Sequence, residues 1–395
     1  MTAMSSGRAS GPKTVMVVYG TRPEAIKLAP LIRALAASEQ LHPLVVVTGQ
    51  HREMLDQVNS LFGIVPDVDL DLMDHGASVN AIARRVLKRV EEQIIEHRPD
   101  ALVIQGDTTS AFAASLAAFL EDVPVIHLEA GLRTGNRRSP FPEEANRQLT
   151  SVVTDLHLAP TSVARANLEA EGVDPSTIVV TGNTVVDALQ WSVAQPVTFT
   201  DPLLEKLGGT ERDLILITTH RREAWGDRML AAMRGLGEVA GNHPELDLLL
   251  PMHRNPIVRE AVIEALGHLP NVHLTEPLSY AEFCHVMKRS RVIVTDSGGI
   301  QEEAPSLGKP VLVLRDTTER PEGVEAGTVK VVGTEQATVT RETERLLTDP
   351  DAYAAMANAV NPYGDGHAAA RSVQAIEALL VGGERPEEFR PVSPG

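Results

Sequence analysis

The chain has 395 residues, of which 43% are hydrophobic, 23% charged and 3% aromatic, values that suit a globular protein and exclude a disordered or fibrous one. With 36 basic against 53 acidic residues the formal net charge is −17, so a fold-wide basic surface for nucleic acid is excluded and an anionic ligand must meet a local basic pocket. The single cysteine, Cys284, excludes an internal disulfide and a cysteine-based zinc or iron–sulfur site, in keeping with a reducing cytoplasm, and no apolar run reaches the ~20 residues of a membrane helix.

Residues 1–13 lack the apolar centre of a signal peptide and are expected to form a disordered leader. Short β-branched runs follow at 15–19, 44–47, 101–104, 123–126, 156–159 and 178–180, then at 214–217, 246–250, 272–274, 292–295, 311–314 and 329–332. Each leads through a polar or glycine turn into a helical pattern. In the first such pattern Ala25, Leu28, Ala29, Ile32, Leu35 and Ala36 share one helix face, with Pro30 expected to kink it. Alternation of this kind predicts an α/β protein with parallel sheets covered on both faces, six strands in each of two doubly wound domains. The pattern pauses between 184 and 202, so the domains are expected at 14–190 and 191–366. A helix is expected at 367–381 and a frayed tail at 382–395. Ligands of such folds bind beyond the carboxyl ends of the strands, which makes a cleft between two facing domains the expected site.

The chemistry-bearing residues recur at those strand ends. In YGTRPEAIK, Thr21 and Glu24 fit a capping box with Pro23 in the first turn. The stretch reads either as a well-capped helix or as an anion-binding helix start to which Arg22 and Lys27 add charge. It holds no GxGxxG, which argues against a dinucleotide cofactor. Asp107 in IQGDTT, Glu129 in IHLEAGLRT and Glu143 in SPFPEEANR read singly as caps or loop charges, and jointly as groups able to stabilise a cation and exchange protons. His220 in ITTHRREAWGD, with Arg221 and Arg222, makes a basic turn, and His253 in PMHRNP ends another strand. Neither an HExxH motif nor a cysteine ligand set is present, so no metal is expected. Tyr280 and Phe283 read as core or as neighbours of a base. Ser297, Gly298 and Gly299 in TDSGGIQEEAP form a second anion cradle, with Glu303 placed to accept ribose hydroxyls and Arg315 and Arg320 near the same sheet edge. The spacing alone points to a two-domain binder of a diphosphate-bearing small molecule with acid/base groups.

The segments GTRPEAIKLAPL, TGQHREMLDQV, GDTTSAFAASLAAF, HLEAGLRTGNRRSPFPEEANRQLT, TGNTVVDAL, THRREAWGD, PMHRNP, TDSGGIQEEAPSLGKPVLVLRDTTERPEGVEAGT and NPYGDG together resemble the non-hydrolysing UDP-N-acetylglucosamine 2-epimerase family, from Gly20 to about Gly366. The resemblance implies a GT-B-like fold of two Rossmann-type domains facing a central cleft, with the C-terminal helix returning to the first domain. It implies reversible conversion of UDP-GlcNAc to UDP-ManNAc by a cytoplasmic homodimer without a cofactor, feeding polysaccharide biosynthesis. Elimination of UDP would give 2-acetamidoglucal, and re-addition would complete the change at C2. Carried over by position, the resemblance makes Asp107, Glu129, Glu143 and His220 catalytic. Arg22, Lys27, Phe283, Ser297, Gly298, Gly299, Glu303 and Arg320 become substrate contacts. A second UDP-GlcNAc acting as an activator would meet Gln50, Glu53, Glu143, Arg221 and His253. Members with clear activation carry glutamine where this chain has Glu53, and a glycine is common in place of Thr219. The rival expectations are a hydrolysing epimerase, a GT-B glycosyltransferase and a nucleotide-sugar sensor without turnover.

Overall fold

The computed structural model describes residues 11–49, 52–72, 76–221 and 225–391, with nothing placed for the side chains of Arg52 and Glu53. Its strands are β1 (Lys13–Tyr19), β2 (Leu41–Val47), β3 (Val68–Asp69), β4 (Ala101–Gln105), β5 (Val125–Leu128), β6 (Leu156–Ala159) and β7 (Ile178–Val180), followed by β8 (Leu214–Thr218), β9 (Asp247–Pro251), β10 (Val272–Thr275), β11 (Val292–Thr295), β12 (Val311–Val313) and β13 (Val329–Val331). Two units result, one of Met1–Thr184 with Gly366–Phe389, the other of Val185–Asp365 with Arg390–Gly395. The first division falls at the start of the helix Thr184–Ala194, a few residues before the expected 190/191.

The first unit holds a seven-stranded sheet in the order β3-β2-β1-β4-β5-β6-β7, and the second a six-stranded sheet in the order β10-β9-β8-β11-β12-β13. Every pairing is parallel, with Val15 opposite Ala101 and Val17 opposite Val103 across β1 and β4, and Ile217 opposite Val294 across β8 and β11. All twelve expected strands form. The runs are apolar throughout because helices cover both faces: Val15, Met16 and Val17, and equally Ile215, Leu216 and Ile217, are fully buried. The strand that the sequence did not reveal, β3, has only two residues at a sheet edge. Strand order reverses between β1 and β4 in one sheet and between β8 and β11 in the other, and at such reversals loops diverge and leave room for a ligand.

The helix Arg22–Ala37 begins with the expected capping box on Thr21 and Glu24 and runs through Pro30 without interruption. Buried Leu28, Leu31 and Leu35 hold it in place, whereas Ala36, expected on the buried face, is exposed in the last turn. In the same unit it packs against the helix Ala368–Leu380, and Ser38 Oγ donates to Glu377 Oε1 at 2.7 Å.

Two expectations at the ends change. Lys13, placed in the leader, is the first residue of β1, and residues 1–10 lie outside the described chain. The tail expected to fray from 382 instead lies along β7. Phe389 is buried and its N–H donates to the Val180 carbonyl at 2.8 Å, Arg385 donates to the Ser176 and Ile178 carbonyls, and Glu388 accepts from Arg165 at 2.6 Å. An edge strand leaves backbone groups unpaired, and this segment satisfies some of them. Residues 392–395 lie outside the described chain. Among the described residues no helix is long and apolar enough to cross a membrane.

Candidate active site

Two residue sets carry the candidate chemistry, one in each unit. The first set stands at the ends of β1, β4 and β5. Glu24 is buried and gathers donors from two loops: Gly20 N–H at 2.9 Å, Thr21 N–H at 2.8 Å, Thr21 Oγ1 at 2.9 Å and Thr108 Oγ1 at 2.6 Å. Burial raises its carboxyl above the usual range in spite of these bonds. The capping glutamate thus ties the Arg22 loop to the Asp107 loop. Arg22 is half-buried at the first helical position.

Asp107 follows Gly106, whose φ of +71° is the left-handed conformation that glycine adopts without cost. A Cβ at Gly106 would also stand 3.7 Å from Glu129 Oε2. From below, His127 donates through Nε2 to the Gly106 carbonyl at 2.7 Å, and burial, reinforced by the charge of Arg147, keeps this imidazole neutral. Oδ2 of Asp107 accepts from Arg147, with Nε at 3.2 Å and Nη2 at 2.6 Å, while Nη1 donates to the Glu129 carbonyl at 2.5 Å. Asn146 donates to the Asp107 carbonyl at 3.0 Å. Oδ1 of Asp107 receives no hydrogen bond recorded among the described residues, and its side chain is 30% exposed.

Glu129 has a different environment. Its φ is +64°, unusual for a residue with a side chain and a strain of about 1–2 kcal/mol. Only 4% of it is exposed. Oε1 lies 2.5 Å from Lys27 Nζ and 3.5 Å from Asn183 Nδ2, and Oε2 accepts from Gln105 Nε2. Glu143 opens the helix Glu143–Val152 and is half-buried, with no hydrogen bond recorded for its carboxylate among the described residues. Its neighbour Glu144 is structural, accepting from the Thr134 and Gly135 N–H groups.

The second set stands at the ends of β8 and β11. Asp296, fully buried, accepts at Oδ2 from Thr219 Oγ1 at 3.1 Å and from the N–H groups of His220 and Arg221 at 2.8 and 2.9 Å. Thr219 is buried, and its hydroxyl is part of this network. Ser297 N–H donates to Thr295 Oγ1 at 2.9 Å, and the Ser297 hydroxyl makes no cap bond to its own helix. Gly298 is buried, and a Cβ there would stand 3.9 Å from Nη2 of both Arg221 and Arg320. Two guanidinium groups therefore converge on one buried backbone position at a helix start, a local basic cluster in a chain of net charge −17. Arg320 is held by Glu302 and by its own N–H to Thr318 Oγ1 at 3.1 Å. Arg315 lies farther along and is paired with Glu319 at 2.8 and 2.9 Å. Glu303 is buried, with Oε1 3.7 Å from a Cβ built on Gly299.

Of the two aromatic residues in the helix Tyr280–Arg289, Tyr280 is core and Phe283 is half-buried. His253 lies with its ring 6.3 Å from that of His220. Gln50 and Arg222 lie outside the described residues, as does the side chain of Glu53. Among the described residues no group of three or more His, Cys, Asp or Glu is arranged to hold a metal.

Sequence reasoning missed Arg147, Gln105, Asn183 and Asp296. Arg147 lies one helical turn beyond Glu143, and Asp296 precedes the Ser297 loop directly, so their neighbourhood was visible. Their partners, 40 and 76 residues away, were not.

Known proteins fit this geometry. The UDP-N-acetylglucosamine 2-epimerase family profile matches residues 33–377. The UDP-N-acetylglucosamine 2-epimerase of Escherichia coli K12 is 49% identical over 369 residues, 92% of this chain and 98% of that protein. A Listeria monocytogenes chain described as a UDP-N-acetylglucosamine 2-epimerase superimposes with a TM-score of 0.91 at 47% identity, over 96% of this chain and all of that one. The Neisseria meningitidis UDP-GlcNAc 2-epimerase, solved bound to UDP-GlcNAc, gives a TM-score of 0.83 at 46% identity over 93% of this chain and all of its own. The fold of two doubly wound parallel sheets is thus the GT-B-like one of these relatives. With the family profile covering residues 33–377 and about half the residues identical to a relative over nearly the full length, the chain belongs to the UDP-N-acetylglucosamine 2-epimerase family.

Proposed function

We propose that the protein interconverts UDP-GlcNAc and UDP-ManNAc without releasing free sugar, by losing UDP to form 2-acetamidoglucal and adding it back. The hydrogen on C2 has no adjacent carbonyl to acidify it. Departure of UDP from C1 first creates an oxocarbenium-like cation, and that hydrogen then becomes acidic enough for a carboxylate to remove. The chemistry therefore needs fixed negative charge for the ring, positive charge for the departing diphosphate, and proton acceptors for two faces of C2.

The observation that carries the reading is the unequal placement of the three carboxylates. Glu129 has both oxygens committed to Lys27, Asn183 and Gln105, which suits a fixed charge beside the cation. Asp107 is oriented through Oδ2 alone, and Oδ1 is left for a proton. Glu143, half-buried at a helix start, is the second exchanger. We assign the two faces of C2 to Asp107 and Glu143, and the diphosphate to Arg221, Arg320, His220 and the loop Ser297–Gly299, with Glu303 at the ribose and Phe283 at the uracil. The proposal includes a homodimer and an activating second UDP-GlcNAc near Arg221 and His253.

Incubation of the purified protein with UDP-GlcNAc alone, followed by NMR of the anomeric protons, tests the reading. A stable mixture of the two UDP-sugars is the expected result. Accumulation of free ManNAc and UDP would establish the hydrolysing reaction instead, and an unchanged spectrum would refute epimerase activity.

A further inference from the structure

The turn after β11 carries a buried carboxylate, Asp296, that faces the turn after β8. Oδ2 of Asp296 is fully engaged by Thr219 Oγ1 and two backbone N–H groups, so the rotation of the carboxyl group is fixed. Oδ1 then faces Nδ1 of His220 at 2.9 Å, an ion-pair contact lying off the hydrogen-bonding line. Among the described residues no group other than this imidazole is recorded against Oδ1. Asp296 itself is 0% exposed, while the His220 side chain is 42% exposed, which leaves Nε2 as the ring nitrogen available to a ligand.

We propose that Asp296 is a positioning residue for the epimerisation assigned above: it fixes His220 in the Nδ1–H form and directs Nε2 toward the departing diphosphate. The inference rests on that reading of the reaction. A carboxylate can only accept, so the nitrogen opposite it must carry the hydrogen. Burial opposes ionisation of Asp296, but the contact with His220 and the two backbone N–H bonds outweigh it and hold the carboxyl below its usual value. The acceptor therefore persists at neutral pH. When Nε2 is also protonated, the imidazolium lies between a fixed carboxylate and the diphosphate, and donates to the latter without a reorientation of the ring. No covalent step is involved. The neighbouring His253 is set the other way, since the Asn255 N–H donates to its Nδ1 at 3.2 Å and its own hydrogen must be on Nε2. Two histidines whose rings lie 6.3 Å apart thus present opposite tautomers, and among the described residues a carboxylate contact is recorded for His220 and not for His253.

Asp296→Asn separates this role from mere loop support. The three donors at Oδ2 still need an oxygen, so the amide nitrogen occupies the place of Oδ1 and donates to Nδ1. Nε2–H can still donate, but Nδ1 can no longer take a proton and the imidazolium that faces the diphosphate is lost. Turnover is expected to fall ~10²-fold with KM within ~3-fold, and the same change made on His220→Asn is expected to cost at most ~3-fold further. Equal losses in both backgrounds would overturn the proposal, because a structural role does not depend on the imidazole. A second readout does not require the variant to fold: 15N-histidine NMR of the wild-type chain should show His220 with Nδ1 protonated, and a neutral Nε2–H form would overturn the proposal too. A wild-type protein that fails to epimerise would refute the reaction itself, and the NMR result would still decide the tautomer.

Discussion

Arg147 holds Asp107 by a single oxygen: Nε at 3.2 Å and Nη2 at 2.6 Å both reach Oδ2, while Nη1 reaches the backbone of Glu129 at 2.5 Å. One buried guanidinium thereby orients one carboxylate and fixes its separation from another. Lysine retains the charge but cannot reach both targets in the same plane. Arg147→Lys is expected to lower kcat ~10-fold or more with KM within ~3-fold, since proton transfer depends on orientation more than on charge. Steady-state measurement of UDP-ManNAc formation checks this, and an unchanged kcat would remove Arg147 from the machinery.

The three carboxylates should fail in different ways. Asp107→Asn and Glu143→Gln are each expected to cut turnover ~10²-fold or more and to slow exchange of the C2 proton with solvent by the same factor. Glu129→Gln should slow turnover comparably and also lower thermal stability, because it removes a buried negative charge next to Lys27, whose side chain is 15% exposed. Turnover and deuterium uptake at C2, followed together by NMR, discriminate the cases. Near-normal rates in all three variants would end the assignment.

Much of this arrangement was legible in the chain. Strands buried on both faces read as uninterrupted Val, Ile and Leu, and helix starts announce themselves, as Thr21 and Glu24 do. Parallel order then brings Asp107 and Glu129 together, because β4 and β5 are neighbours. What stayed hidden depends on chain-distant contacts. Lys27 and Glu129 are 102 residues apart, and nothing local to either indicates the pair. Pro30 weakened the expectation of a continuous helix, yet the helix Arg22–Ala37, packed along its buried face, includes it. The final segment, rich in Pro and Glu, looked frayed because its partner, the edge of β7, is more than 200 residues away.

Gly298 gives a test of the diphosphate site that spares the fold. Its φ is not positive, and a Cβ there meets only the tips of Arg221 and Arg320 at 3.9 Å, an ordinary contact distance. Gly298→Ala should therefore fold with a melting temperature close to wild type, yet place a methyl group where the anion approaches the backbone. Calorimetry should show UDP bound ~10-fold or more weakly, about 1.4 kcal/mol. Unchanged affinity would argue that the diphosphate lies elsewhere.

Acid stability should report the Arg315–Glu319 pair. Two hydrogen bonds from Arg315, at 2.8 and 2.9 Å, outweigh burial and lower the Glu319 carboxyl to about 2. In the unfolded chain a glutamate titrates near ~4.3, so the stabilisation is complete above that pH and is lost as the pH falls toward the folded value. The Glu319 side chain is 36% exposed, and solvent screening keeps the effect modest. Urea midpoints measured between pH 5 and 2 should fall less steeply for Glu319→Gln than for wild type. Parallel slopes would show that the pair contributes nothing.

The central claim is that the bond between C1 and the diphosphate oxygen breaks before C2 inverts. Positional isotope exchange tests it most directly, using UDP-GlcNAc with 18O in the bridging position and 31P NMR to follow the label. The account predicts migration of the label from the bridge to the non-bridging β-phosphate oxygens, at least as fast as UDP-ManNAc appears. Epimerised product with its label still confined to the bridge would contradict it.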